Sequence, residues 1–82
     1  MNRKLKRLIL LALLRCDGMP MPEEALFAGV QVMCRPERVT LTDIGVTIKD
    51  LEAAGFIAGV TDEITGTNWG LTDKGQLKAA QL

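Results

Sequence analysis

Residues 51–57 read Leu-Glu-Ala-Ala-Gly-Phe-Ile, and residues 69–75 read Trp-Gly-Leu-Thr-Asp-Lys-Gly. Gly55 predicts the end of a helix, because glycine readily takes the left-handed conformation with which many helices close. The apolar pair that follows it predicts the start of a strand. In the second stretch, a strand runs into a helix that Thr72 is expected to cap. The order helix, strand, loop, strand, helix therefore constrains the fold more than any other part of the chain.

The helix that ends at Gly55 is predicted to cover about residues 42–54. Thr40 or Thr42 is its candidate N-cap, with Asp43 in the first turn. Apolar residues recur at helical spacing, and those expected to face inward are Leu41, Ile44, Ile48 and Leu51. The side chains expected to face outward are Thr42, Asp43, Val46, Thr47, Lys49 and Asp50.

A hairpin and a short helix are predicted after it. Strands at residues 56–61 and 67–71 are joined by a loop at residues 62–66. Trp69 is expected to lie in the core and to brace the hairpin against the helix of residues 42–54. The side chains of the last helix expected to pack back on the core are Leu77, Ala80 and Leu82.

The first predicted helix is apolar on nearly every side. One face is formed by Leu5, Leu8, Ile9, Ala12 and Cys16, and the remaining leucines are Leu10, Leu11, Leu13 and Leu14. Such a helix must be covered all round. Either a second chain packs on Leu10, Leu11 and Leu14, or the other helices of the same chain cover them; both alternatives are open. The Asp17-Gly18 pair is expected to end the helix.

A second helix follows an extended linker at residues 19–22, where the prolines disfavour helical angles. Pro22, Glu23 and Glu24 suit its first turn. Its predicted buried stripe consists of Leu26, Phe27, Val30 and Met33. Gly29 weakens the helix and predicts either a bend or a close contact there.

Composition indicates one domain over residues 1–82, with ten basic and ten acidic residues that balance to zero. Cys16 and Cys34 lie outside any metal-ligand spacing and are expected to stay reduced. The apolar run at residues 8–14 follows four cations, as in a signal peptide, but Arg15 closes it and it is too short to span a bilayer. We therefore predict a cytoplasmic protein with no membrane association.

Catalytic chemistry is not indicated. The chain has no histidine, which removes the commonest general base and a common metal ligand. Glu23 and Glu24 are adjacent on a helix and point in different directions. We expect no enzyme activity, no metal site and no cofactor.

The order helix, helix, helix, hairpin, helix, together with Leu-x-x-Ala-Gly-Phe-Ile and Trp-x-Leu-Thr-x-Lys-Gly, resembles the winged helix-turn-helix superfamily. It is most similar to the small bacterial regulators of the ArsR, MarR and PadR types, and in length to the winged-helix proteins of Mu-like prophages. The resemblance implies a mainly α fold with a small β-hairpin: a three-helix core, a two-stranded wing and a short C-terminal helix. It also implies a homodimer that regulates transcription, with residues 42–54 as the DNA-recognition helix and residues 61–67 as the wing.

The charge distribution departs from the pattern of DNA-binding members. Residues 42–73 carry one basic residue, Lys49, against six acidic residues, a net charge of −5. Residues 1–41 carry +3 and residues 74–82 carry +2. Affinity for DNA comes largely from phosphate neutralisation, and an acidic wing opposes it.

Two functions therefore remain as hypotheses. The first is double-stranded DNA binding through residues of the recognition helix, of the preceding turn and of the N-terminal basic cluster: Thr42, Thr47, Lys49, Arg35, Arg38, Arg3 and Lys4. The second is a protein-interaction or dimerisation module that has lost DNA binding. Its acidic helix and wing would meet a basic protein partner, or its first helix would pair two chains through Leu10, Leu11 and Leu14.

Overall fold

The computed structural model describes residues 3–16, 19–35, 38–64 and 66–82. Within these ranges it contains four helices and three strands. In chain order they are α1 (Arg3–Leu14), β1 (Met21–Pro22), α2 (Glu23–Met33), α3 (Leu41–Ala53), β2 (Ile57–Asp62), β3 (Gly66–Leu71) and α4 (Asp73–Ala80). The predicted helix stop at Asp17-Gly18 lies outside the described residues.

The three strands form one antiparallel sheet in the order β1-β3-β2. In the β2–β3 hairpin, Gly59 is opposite Trp69 and Asp62 is opposite Gly66. β1 adds two residues to the free edge of β3, with Met21 opposite Trp69. A helical core with a hairpin packed at its side is the winged-helix fold, so the predicted fold class is confirmed. The extended linker supplies the third strand.

The predicted ends of α3 are confirmed by its caps. Thr40 is the N-cap, and its hydroxyl accepts a hydrogen bond from the Asp43 N–H at 3.1 Å. The Asp43 carboxylate accepts one from the Thr40 N–H at 3.3 Å, which completes a capping box. At the other end, Gly55 has a φ of 83°, the left-handed conformation that glycine adopts without strain.

α1 is the central helix of the core and packs against α2, α3, α4 and β3. The neighbouring elements of the same chain cover most of its surface. Leu10 is only 4% exposed within the single chain, so it offers little surface to a second one, and the dimer contact expected there stays a prediction. Leu11 and Leu14 are half-buried.

The inward face of α3 differs from the prediction at two positions. Ile44, Ile48 and Leu51 are buried as expected, but Leu41 is 55% exposed and Thr47 is 5% exposed. Leu41 is the first helical residue of α3. Thr47 can be buried because its hydroxyl donates to the Asp43 carbonyl at 2.8 Å. A buried hydroxyl that has a hydrogen-bond partner costs little.

α4 also packs through other residues than predicted. Gly75 and Ala79 are buried, whereas Ala80 is exposed, Leu77 is 69% exposed and Leu82 is 45% exposed. The phase of the helix is set at Gly75, whose Cα lies directly against the carbonyl group of Phe56. No side chain fits between them, so this face of α4 must approach the core.

α2 buries Leu26 and Val30 completely, while Phe27 and Met33 are half-buried against the core. A Cβ atom added to Gly29 would meet nothing within 4 Å, so the close contact expected at this glycine is absent. Trp69 is 3% exposed, as predicted for a core residue. Its indole N–H donates to the Glu23 carboxylate at 3.3 Å, so the hairpin is also tied to the start of α2.

Candidate nucleic-acid interface

One strip of side chains runs along the solvent-facing surface of α3. Thr42, Val46 and Lys49 follow one another at i, i+4 and i+7, the spacing of one helix face. Val46 is 57% exposed and the Lys49 side chain is 75% exposed. Asp43 and Asp50 are exposed beside them. Thr47, which we expected on this face, is buried beneath it and cannot reach a base edge.

The N-terminus of α3 already holds a negative charge. Its capping box places the Asp43 carboxylate on the Thr40 N–H group. A helix N-terminus otherwise attracts phosphate through its free N–H groups and its dipole. In this chain the Asp43 carboxylate is present at that position, so the α3 N-terminus is a poor phosphate site.

Lys49 is the cation of the α3 strip, and two neighbours on the protein attract it. Its ammonium lies 3.8 Å from the Glu52 carboxylate, one helical turn away, and 5.8 Å from the centre of the Trp69 ring. The ion pair is largely exposed to solvent and therefore weak. A phosphate or a base edge can displace it at little cost.

The wing, which is the β2–β3 hairpin with residues 61–67 around its tip, presents acidic and apolar groups. Ile64 is 94% exposed, and its N–H donates to the Asp62 carboxylate at 2.7 Å. Glu63 and Val60 are also exposed. Residues 57–71 contain no lysine or arginine. This wing therefore cannot anchor a DNA phosphate with a cationic side chain.

The candidate cations occupy two separate places. Arg35 and Arg38 are exposed and precede α3. Arg3 belongs instead to a group at the opposite end of α3, because the groove that it lines also includes Leu51 in the last turn of that helix. Leu41 and Leu51 are separated by about 15 Å along the axis at 1.5 Å per residue. Lys4 is exposed and is not among the residues that line the groove.

The groove has a volume of about 360 Å³. Its cationic lining residues are Arg3, Lys6, Arg7 and Lys78, and its apolar ones are Leu10, Leu51, Phe56 and Leu82. Sequence reasoning recognised the cluster at residues 3–7 but missed its combination with Lys78 and Phe56. Only the packing of α1 against α3 and α4 brings these residues together, so no local signal could have revealed the site.

Lys74 is a further cation with a role that sequence reasoning missed. Its ammonium donates to the Ala54 carbonyl at 2.7 Å and lies 4.7 Å from the centre of the Phe56 ring. A lysine at the carbonyl end of a helix interacts favourably with the helix dipole. Lys74 therefore stabilises the end of α3 from the neighbouring helix.

Within the described residues, no three histidine, cysteine, aspartate or glutamate side chains are grouped so that they could hold a metal ion. None of the described helices is long and apolar enough to cross a membrane. Cys16 and Cys34 are free thiols, the former half-buried and the latter buried.

Comparison with known proteins identifies the fold but no family. No protein-family model matches the chain, and no curated protein is similar to it in sequence. Among solved structures, the chain is similar to the crystal structure of SSV1 F-93, with a TM-score of 0.72 and 22% sequence identity. The match covers 93% of this chain and 79% of that one. At this identity the similarity supports the fold alone.

Proposed function

We propose that this protein is a small winged-helix module that binds duplex DNA, with α3 as the recognition helix. The observation that carries the proposal is the exposed strip of Thr42, Val46 and Lys49 on a helix that the fold leaves open to solvent. The major groove admits a helix of this kind. The methyl groups of Thr42 and Val46 would pack against thymine methyl groups, and Lys49 would bond a base edge or a phosphate.

Binding of this kind is expected to be weak and confined to low salt. The phosphate contacts available near α3 are Lys49, Arg35 and Arg38, whereas Asp43, Asp50 and the wing repel phosphates. Three neutralised phosphates per chain correspond to a slope of log K against log salt concentration of about −3. A typical regulator with a basic wing would have a steeper slope.

A fluorescence-anisotropy titration of mixed-sequence duplex DNA at low salt tests the proposal. We expect saturable binding that weakens with salt, and a Lys49→Gln variant that binds less tightly. Lys78→Gln is the matched control, since it removes the same charge from the groove at the other end of α3. Absence of binding at low salt and tens of micromolar protein would refute the proposal. Equal losses in both variants would move the site away from α3.

Pairing of two chains is a further part of the proposal. The half-buried Leu11 and Leu14 of α1 are the more accessible apolar residues of the expected dimer surface. A homodimer would present two recognition helices to neighbouring half-sites. Sedimentation equilibrium should then show a dimer that Leu11→Gln dissociates, and a monomer at high protein concentration would contradict it.

The proposal also includes a non-enzymatic role in the cytoplasm. The two free thiols suit a compartment in which cysteines remain reduced.

A protein-interaction module is the second candidate function, and the composition of the same surface favours it. Exposed apolar residues of α3 and the wing stand next to acidic ones: Leu41, Val46, Val60 and Ile64 beside Asp43, Asp50, Asp62 and Glu63. Such a surface matches a partner with basic and apolar residues better than it matches a polyanion.

A lysine-rich amphipathic peptide, titrated while amide resonances are followed by NMR, tests this second function. Shifts confined to α3 and the wing, in a protein that binds no DNA at low salt, would support the interaction module. Shifts spread evenly over the acidic residues of the chain, α2 included, would indicate unspecific charge attraction and exclude it.

A further inference from the structure

The groove between the start of α1 and the end of α4 combines cationic walls with an apolar floor. Its walls bring together four cations from two helices that lie far apart in the sequence. Its floor consists of apolar side chains, of which Leu10 is 4% exposed and Leu51 is 2% exposed. No acidic side chain occurs among the described residues that line it.

The position of two of these cations is unfavourable for the helix. Arg3 and Arg7 lie in the first two turns of α1, near the end where the helix dipole is positive and acidic residues are preferred. α1 has no acidic residue in its first turn. An anion in the groove would interact favourably with these side chains and with the helix N-terminus together.

The apolar lining indicates that the anion has an apolar body. Leu82 is 45% exposed and Phe56 is half-buried, and both line the groove. A ligand that covers them removes apolar surface from water, which is favourable in proportion to the area buried. DNA would contact the cations through phosphates and would leave the apolar floor empty.

The size of the groove indicates a small molecule. Its volume of about 360 Å³ lies at the lower end of the roughly 300–1,000 Å³ typical of ligand pockets.

We propose that this groove binds a small alkyl carboxylate, with the carboxylate between Arg7 and Lys78 and the alkyl chain over Phe56 and Leu82. The proposal is independent of DNA binding, because it uses none of the residues of the α3 strip. Since Leu51 and Phe56 also join α3 to β2, the ligand would lie at the base of the recognition helix.

Decanoate is the probe for the test, titrated into the protein without DNA while amide resonances are followed by NMR. We expect saturable shifts in the residues of the groove. Decyltrimethylammonium, with the same alkyl chain and the opposite charge, should bind at least tenfold more weakly. Equal binding of the two would show an apolar patch without anion selectivity and would overturn the proposal.

Variants locate the site. Arg7→Gln and Lys78→Gln should each raise the dissociation constant for decanoate by about two- to fivefold, the effect of losing one exposed ion pair. Arg38→Gln removes the same charge near the other end of α3 and should leave it unchanged. Urea unfolding of each variant checks that the fold is intact.

Three results contradict the proposal. The first is that Arg38→Gln weakens decanoate binding as much as the groove variants do. The second is that amide resonances of the groove shift with protein concentration while decanoate has no effect. The third is that the protein binds anionic lipid vesicles but does not bind decanoate. The second would show that another copy of the chain covers the groove. The third would assign the cations to a membrane surface.

Discussion

Gly75 of α4 lies against the main-chain carbonyl of Phe56 so closely that a Cβ atom has no room between them. The same carbonyl accepts a hydrogen bond from the Thr72 N–H at 3.1 Å. The two sequence stretches that decide the fold therefore meet in one contact, where the turn after α3 supports the turn into α4.

Replacing Gly75 should damage the fold more than replacing any other helical glycine of the described residues. Gly75→Ala forces a methyl group into the Phe56 carbonyl and is expected to cost about 3 kcal/mol or more, since backbone must move. The measurement is the free energy of unfolding in urea. Gly29→Ala is the matched control in α2, where a Cβ meets nothing within 4 Å. It should stabilise the protein by about 0.5–1 kcal/mol. Equal effects of the two substitutions would contradict this contact.

Thr72 connects three segments at the same junction. Its hydroxyl donates to the Gly55 carbonyl at 2.5 Å and accepts from the Gly75 N–H at 3.1 Å. Thr72→Val keeps the shape but removes both bonds, and should cost about 1–2 kcal/mol, the usual range for a lost N-cap. Thr72→Ser retains the hydroxyl and should recover most of that stability in urea unfolding. A serine variant as unstable as the valine variant would show that the methyl group matters instead.

Gly59 is required for the position of the single tryptophan. It is opposite Trp69 in the hairpin, and a Cβ on Gly59 would lie 2.8 Å from the indole ring. Gly59→Ala should displace the ring, shift its emission to longer wavelength and cost about 1–3 kcal/mol. Gly70→Ala is the control on the neighbouring strand, because its nearest contact is at 4.0 Å. It should leave the emission unchanged, and a red shift in both variants would reject the specific contact.

Local chemistry explains which parts of this fold could be predicted from the sequence. Helix caps at Thr40 and Thr72 and the stop at Gly55 depend on hydrogen bonds within a few residues, so the residue types indicate them directly. The burial of Thr47 in place of Leu41 depends on which face of α3 packs against the neighbouring elements. Helical spacing alone is compatible with an inward face that includes either residue.

Packing explains why the groove could not be predicted. It requires α1 to lie between α3 and α4, which brings Arg7 close to Lys78 although 70 residues separate them. The phase of α4 has a similar origin, because the contact of Gly75 with Phe56 turns Leu77 outward. Apolar character alone favoured Leu77 as the buried residue.

Removal of an acidic charge from α3 is a test of where DNA binds, and its readout is a gain of affinity for DNA. Asp50 is exposed beside the strip of Thr42, Val46 and Lys49. If that strip enters the major groove, the Asp50 carboxylate repels nearby phosphates, and Asp50→Asn should tighten binding by about two- to fivefold, the effect of one exposed charge pair. Fluorescence anisotropy at low salt measures the change.

Asp73→Asn is the control for this gain, because it removes the same charge at the start of α4. A site on α3 predicts a larger gain from Asp50→Asn than from Asp73→Asn, and convergence of the two affinities as salt screens the repulsion. Equal gains at all salt concentrations would mean that DNA responds only to the total charge of the protein. A gain of affinity for DNA is easier to interpret than a loss, since a loss also occurs when a variant unfolds. The comparison therefore separates recognition by α3 from general attraction even in a chain whose net charge is zero.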